Sequence, residues 1–278
     1  MQQRAVRQLP LISSPGLTII GISDLLLRIS LWQGVFPVII LIRKRQLMGF
    51  CGILLAALLI SLPRWWQGGE LSAFSACQQP PVTVVIDPGH GGEDGGAVSK
   101  SGVEESGLNL EISLRIRDLL EFAGQETQMV RTADVSVHTE GETIRARKVS
   151  DIHHRVDMVN HQERAVLLSI HQNSLPSSPI THGAQVFWNR QEGAEVLAIS
   201  VQDALNQWIN AGNVKHPKPA PTSVYLMKYT TAPGILVECG FLSNPAETDQ
   251  LQNPAYQTKL AASITAGYLA NRAAEEVS

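Results

Sequence analysis

The chain has 278 residues, 44% hydrophobic and 17% charged, enough for one soluble domain of about 200 residues beside an apolar segment. Seven of its 22 basic residues and two of its 25 acidic ones lie in residues 1–80, which leaves 15 and 23 in the remainder and a net charge there of −8. That balance excludes a nucleic-acid binder, which concentrates positive charge on its folded part; the three cysteines, Cys51, Cys77 and Cys239, exclude a disulfide framework and a CxxC metal knuckle.

Residues 1–42 carry apolar patches without clear periodicity or caps. Two readings stay open for them: a second membrane-spanning segment within residues 17–42, or an untranslated extension. On the latter reading synthesis begins near Val38 or Leu41, because L-I-R-K-R-Q-L-M-G-F has the form of a short basic region leading into an apolar one. Residues 47–62 are uncharged, preceded by Arg43-Lys44-Arg45 and followed by Pro63-Arg64-Trp65-Trp66. Residues 43–66 are therefore expected to be a signal peptide or membrane anchor with its amino terminus inside and an aromatic residue pair at the far interface. The anchor is favoured, since no small-x-small cleavage site comes soon after it, and the chain beyond residue 66 is expected outside the cytoplasm. Residues 67–81 are polar and small, ending in Gln78-Gln79-Pro80-Pro81, and predict a linker.

From residue 82 onward, strand-like and helix-like runs alternate. Strands are predicted at residues 82–86, 128–131, 165–170, 184–188 and 234–238. Between and after them, apolar stripes at helical spacing mark four helices: Leu108, Ile112, Ile116, Leu119 and Leu120, with Gly124 placed to end the first; Ile152, Val156 and Val159; Leu197, Val201, Ala204, Leu205 and Trp208; and Tyr256, Leu260, Ile264, Gly267 and Tyr268. Residues 212–223, with Pro217, Pro219 and Pro221, predict an exposed loop. The alternation predicts a single three-layer α/β domain over residues 82–278, with a mostly parallel central sheet and helices on both faces.

The chemistry gathers where strands end. Residues 87–97, DPGHGGEDGGA, directly follow the first strand at its carboxyl end, where open α/β sheets place ligands. A phosphate cradle fails on the sequence: the P-loop signature is absent, and Asp94 stands at the third glycine position of GxGxxG counted from Gly89. His90 in mid-loop points to metal or acid/base chemistry instead. His171 ends the AVLLSI strand, and two histidines at the carboxyl ends of neighbouring strands converge. Glu105 precedes the first helix, and Glu238 closes the apolar run GILV, an expensive place for a carboxylate without a task. Two histidines and a glutamate leave a zinc ion one position for water, and a further carboxylate is then at hand to take the water's proton.

Together, DPGHGGEDGGA, the glutamate before the helix, SIHQN at 169–173 and ECGFLSNPAE at 238–247 resemble the zinc-dependent N-acetylmuramoyl-L-alanine amidases, over residue 82 to about residue 272. The resemblance implies one Zn2+ held by His90, Glu105 and His171, with Glu238 as general base and then general acid. Glu104 is the competing ligand; counting back from Asn109-Leu110 favours Glu105. More narrowly, residues 145–160 (RARKVSDIHHRVDMVN) and 225–247 look like the germination-specific amidases of spore formers, which strip peptide from muramic acid in the spore cortex on the way to muramic δ-lactam. That narrower likeness implies cortex peptidoglycan as substrate, action between the two forespore membranes and an accessory lipoprotein partner in some relatives. Two residues depart from the family pattern, Gln172 and Cys239, and Gln172 is expected to alter contact with the glycan or peptide.

Four further residues complete the expectations. Asp87 and Asp94 either orient His90 through its other ring nitrogen or cap the glycine-rich turn; Asn173 supplies a donor to the tetrahedral oxyanion; Arg155 is structural or substrate-positioning. Cys239 reads as a packed small residue, since no base accompanies it, and His153 and His154 as exposed or partner-facing. The rivals are a catalytically dead wall-binding module, disfavoured because all four site residues are intact, a zinc peptidase cutting within the stem peptide, and an autolysin of cell separation or lysis.

Overall fold

A computed structural model of the chain describes residues 18–20, 26–33, 36–42 and 82–277, and the chain separates into two units, Met1–Gln78 and Gln79–Ser278. In the first unit, strands β1 (Thr18–Ile20), β2 (Leu26–Gln33) and β3 (Phe36–Ile42) form an antiparallel sheet in the order β1-β2-β3. No strands are expected there from the sequence; an unbroken apolar run such as 38–42 suits a strand as well as a membrane segment, and periodicity alone does not separate the two. The expected anchor at 43–66 and the linker at 67–81 lie outside the described residues. No helix among the described residues is long and apolar enough to cross a membrane.

The second unit is built on a six-stranded sheet, β4 (Thr83–Pro88), β5 (Glu126–Met129), β6 (Ala165–Asn173), β7 (Gln185–Trp188), β8 (Lys218–Pro219) and β9 (Gly234–Phe241), in the order β5-β4-β6-β9-β7-β8. All pairings are parallel except β7 against β9. The central strands are apolar on both faces because both are covered. Val84, Ile86, Leu168 and Ile170 pack on one side against α1 (Glu105–Phe122), α3 (Ala194–Trp208) and α6 (Pro254–Val277). The alternate residues Val85 and Leu167 pack on the other side against Val156 and Val159 of α2 (Ile144–Asn160) and Leu226 and Met227 of α4 (Tyr225–Tyr229). A short α5 (Pro245–Leu251), capped by the Asn244 side chain, connects β9 to α6. The fold is thus the expected three-layer domain.

Two local differences have simple causes. The strand expected at 128–131 runs instead over Glu126–Met129, because pairing with β4 starts at Thr83 opposite Glu126, and Arg131 is left to turn inward. Within the expected loop at 212–223, Lys218 and Pro219 add a two-residue edge strand to β7, a position where proline's missing N–H is tolerated.

Candidate active site

Sheet register assembles the site. Asp87 pairs with Ser169 across β4 and β6, so Gly89 and His90 leave β4 beside the end of β6. His171 then pairs with Glu238 across β6 and β9, which sets the two side by side at the carboxyl ends of parallel strands. Glu105, the first residue of α1, comes up from the loop that begins at His90. One ligand atom each from His90, Glu105 and His171 lies within 4.8 Å of the others. His171 Nδ1 is 2.9 Å from Glu105 Oε1 and His90 Nε2 is 3.3 Å from Glu105 Oε2. Glu104 is the residue just before the helix and stands outside this group.

The glycines of residues 89–96 serve close approach. A Cβ at Gly89 would lie 2.2 Å from His171 Cε1, and one at Gly96, where φ is +71°, would lie 2.6 Å from Glu105 Oε2 and 2.7 Å from His90 Cδ2. All three ligand side chains are seated directly against backbone. His90 itself takes φ +62°, a conformation uncommon outside glycine, and it is held there by carbonyl grips. The guanidinium of Arg155, 2% exposed, donates to Pro88 O at 2.9 Å and His90 O at 2.6 Å and pairs with Asp87 at 2.5 Å and Asp151 at 2.6 Å. Arg131 donates to Pro88 O, Gly89 O and Ser106 O at 2.9 to 3.0 Å.

These contacts divide the expected supporting residues. Asp94 accepts from His90 Nδ1 at 2.8 Å and is itself held by Lys148 at 2.7 Å, a contact that fixes the His90 ring. Asp87 does neither of the things expected of it: it is buried at the end of β4, bonded to Arg155 and to Ser169 Oγ at 2.7 Å. Arg155 faces inward on that pair, which makes it structural and removes it from substrate contact. Gln172 likewise points inward, because alternation along β6 sends it away from the His171 side; it is 3% exposed and donates to Asn109 Oδ1 at 3.1 Å. Asn173 is half-buried two residues beyond His171, past an irregularity in the β6–β9 register, with its Oδ1 accepting from Ser174 N–H at 2.8 Å. Cys239 is fully buried in the core, where burial pushes its thiol well up. His153 stacks on Tyr225 at 4.9 Å, away from the triad.

Electrostatically the triad calls for positive charge. Burial works against a charged His90, but the carboxylates of Glu105 and Asp94 outweigh it and raise its pKa to about 9. Burial alone would raise Glu105; bonds and charge from His171 and His90 hold it well below the carboxylate range instead. With Asp94 on Nδ1–H, the Nε2 lone pair of neutral His90 faces a carboxylate, an arrangement that a cation between them relieves. A histidine, a carboxylate and a second histidine suit zinc as a donor set with one position open. Glu238 shifts the other way: burial, with Glu105 repulsion added, raises it to about 7 against the attraction of His171 and His90. Its Oε2 is buried without a hydrogen-bond partner.

Residues 84–270 match the family described as N-acetylmuramoyl-L-alanine amidase. The chain is 37% identical over 187 residues to the germination-specific N-acetylmuramoyl-L-alanine amidase of Bacillus subtilis, which covers 67% of this chain and 78% of that protein. Among solved structures it is similar to the CwlD amidase of Clostridioides difficile, determined in complex with the GerS lipoprotein, at 30% identity and a TM-score of 0.66 over 69% of this chain and 99% of that one. An N-acetylmuramoyl-L-alanine amidase from Clostridium difficile 630 gives 27% identity and a TM-score of 0.61 over 71% of this chain and all of that one.

Proposed function

The chain belongs to the N-acetylmuramoyl-L-alanine amidase family and is a hydrolase of the bond that name describes; we propose that it does so with one zinc ion held by His90, Glu105 and His171 and with Glu238 as the proton carrier. The observation that carries this reading is the pairing of a converged His-Glu-His group with a buried, unpartnered Glu238 oxygen in register beside it. Bound there, zinc supplies Lewis-acid polarisation of the lactyl carbonyl and of a water.

The chain's own residues do the rest. Glu238 is tuned to about 7, so near neutral pH it takes a proton from the attacking water and returns it to the departing alanine nitrogen. Asp94 keeps His90 in the tautomer that presents Nε2 inward, and the Asn173 amide is placed at the strand end to donate to the oxyanion. Arg155 acts one step back, through the His90 backbone.

The physiological substrate in this reading is spore-cortex peptidoglycan, as a step toward muramic δ-lactam, outside the cytoplasm between the forespore membranes. Residues 43–66 act as signal or anchor, residues 67–81 as a linker, and residues 82–278 as the catalytic domain. The germination-specific relative and the structure solved with a lipoprotein support that assignment and the accessory lipoprotein partner.

The test is digestion of purified cortex and of vegetative peptidoglycan, with and without zinc, beside Glu238→Ala, with products identified by mass spectrometry. Stem peptides beginning with L-alanine, released only with zinc and lost in the variant, are expected, with cortex preferred. Cuts inside the stem peptide would move the reading to a peptidase, and equal digestion of both walls to an autolysin.

A further inference from the structure

Asn109 is not among the residues that the site's chemistry requires, yet it touches all three segments that carry the triad. It lies on α1 one turn after Glu105, is fully buried, and its Nδ2 donates to Glu105 Oε1 and to Gly89 O, both at 3.1 Å. Gly89 precedes His90 and lies under the His171 ring. On its other side Asn109 Oδ1 accepts from Gln172 Nε2 at 3.1 Å, while the Gln172 backbone N–H donates to Glu105 Oε1 at 3.0 Å.

The amide therefore has a fixed sense. Two groups that can only accept, the carboxylate and the carbonyl, meet one end, so that end must be the nitrogen and the oxygen must face the Gln172 amide. Rotation by half a turn would set oxygen against oxygen on one side and nitrogen against nitrogen on the other, both shielded from solvent. The carboxylate and the carbonyl fix that sense, and Gln172, which departs from the family pattern, turns its N–H to the oxygen end they leave. The helix stripe gives a second sign: Asn109 sits beside Leu108 and Ile112 on the buried face, where a polar group persists only with partners.

We propose that Asn109, bonded to Gln172, is a positioning residue that holds the Glu105 carboxylate, the His90 loop and the end of β6 in the arrangement that takes up a divalent metal. The inference rests on the metal reading given above and concerns how tightly the ion is held. Removal of such a supporting hydrogen bond lowers metal affinity by about 10- to 100-fold.

The experiment titrates zinc into the apo full-length protein against a chromophoric chelator for wild type, Asn109→Ala, Asn109→Asp and Gln172→Ala. Leu120→Ala serves as a comparison, since this fully buried core residue lies three turns further along the same helix, about 16 Å at 1.5 Å per residue. A loss of about 10- to 100-fold is expected in both Asn109 variants, a smaller loss in Gln172→Ala, and none in Leu120→Ala. Asn109→Asp keeps the size of the side chain, so it separates lost N–H donation from lost packing. Affinity within threefold of wild type in both Asn109 variants, or an equal loss in Leu120→Ala, overturns the proposal. Failure of the wild type to take zinc overturns the metal reading instead. Positioning is then read from the metal-free protein, by the NMR signal of the His171 ring N–H held by Glu105: sharp in wild type and broadened in Asn109→Ala is expected, and an unchanged signal overturns it.

Discussion

Replacing Arg155 by methionine tests whether the pair beneath the site is held by charge or by packing. Methionine keeps most of the apolar stem but strands Asp87, which is 1% exposed and retains only the Ser169 hydroxyl. Removing one partner of a buried ion pair costs about 3–5 kcal/mol, and the lost grips on Pro88 O and His90 O place the expectation at the upper end. The pH dependence carries the decisive sign. In the wild type, burial pushes the Asp87 carboxyl up, but Arg155, with smaller help from His171 and Ser169, brings it below its ordinary value. That stability is present above the ordinary aspartate range and is lost as pH falls through the depressed value. Without Arg155, desolvation dominates and the folded-state value lies above the unfolded one, so the variant gains relative stability on acidification, by about 1.4 kcal/mol per pH unit within that window. Urea unfolding at pH 7 and pH 5 should show a deficit smaller at pH 5 by about 1–2 kcal/mol. Adding Asp87→Asn to Arg155→Met removes the stranded charge and should restore about 1–2 kcal/mol. A deficit equal at both pH values, with no recovery in the double variant, would refute the electrostatic account and leave lost packing as the cause.

The remaining expectations concern the site itself. Glu238→Gln should lower kcat by about 100- to 10,000-fold while zinc affinity, measured by chelator competition, stays within a fewfold of wild type; a matching loss of zinc would make Glu238 a ligand. Because Glu238 must be ionised to accept a proton and is raised to about 7, kcat should fall on the acid side of about pH 7, and a flat profile down to pH 5 would assign the base elsewhere. Gly96→Ala should lose both stability and zinc, since its Cβ would strike Glu105 and His90. Gly102→Ala, with φ +86° but nothing within 4 Å of the new atom, should cost only about 1 kcal/mol of backbone strain and keep zinc affinity. Equal zinc affinities in the two alanine variants would show that close approach is not the reason for the glycine.

The strand ends made His90, His171 and Glu238 legible, because a polar, titratable residue closing an apolar run has few structural excuses. Glu105, the first residue of α1, was told apart from Glu104 only by the resemblance, counting back from Asn109-Leu110. The fold of the second unit followed from alternation of buried strands and apolar helix stripes, and among its described elements the short α4, α5 and β8 escaped it, since five, seven and two residues are too few for a period; strands β1 to β3 of the first unit escaped it too. The supporting residues were harder. Arg131 and Arg155 act through backbone carbonyls, and which carbonyl a long side chain reaches depends on how the end of β5 and α2 sit beside β4, which no spacing rule encodes. Asp87 looked like a partner of His90 because it stands three residues away in sequence, yet β4 carries it into the core while the loop carries His90 out. Asn109 alone left a trace that was open to reading: a polar residue on the buried stripe of α1, one turn from Glu105.

In the proposed mechanism, Glu105 and Glu238 divide two roles between one side chain type. Both are largely withdrawn from water, and for both burial is the largest influence, acting upward. What separates them is the hydrogen-bond environment. Glu105 receives N–H groups from Ala97, Asn109 and Gln172 and faces two imidazoles, so its charge is fixed and it is fit to hold a cation. Glu238 has an oxygen with no donor and a neighbouring carboxylate that discourages ionisation, so its proton is exchangeable near neutrality. A carboxylate pair whose environments drive their pKa values apart divides into a permanent anion and a proton carrier. The division is set by which strand or helix end each occupies: the first turn of α1 lies against N–H donors, whereas the end of β9, in register with His171, leaves Glu238 Oε2 buried without one.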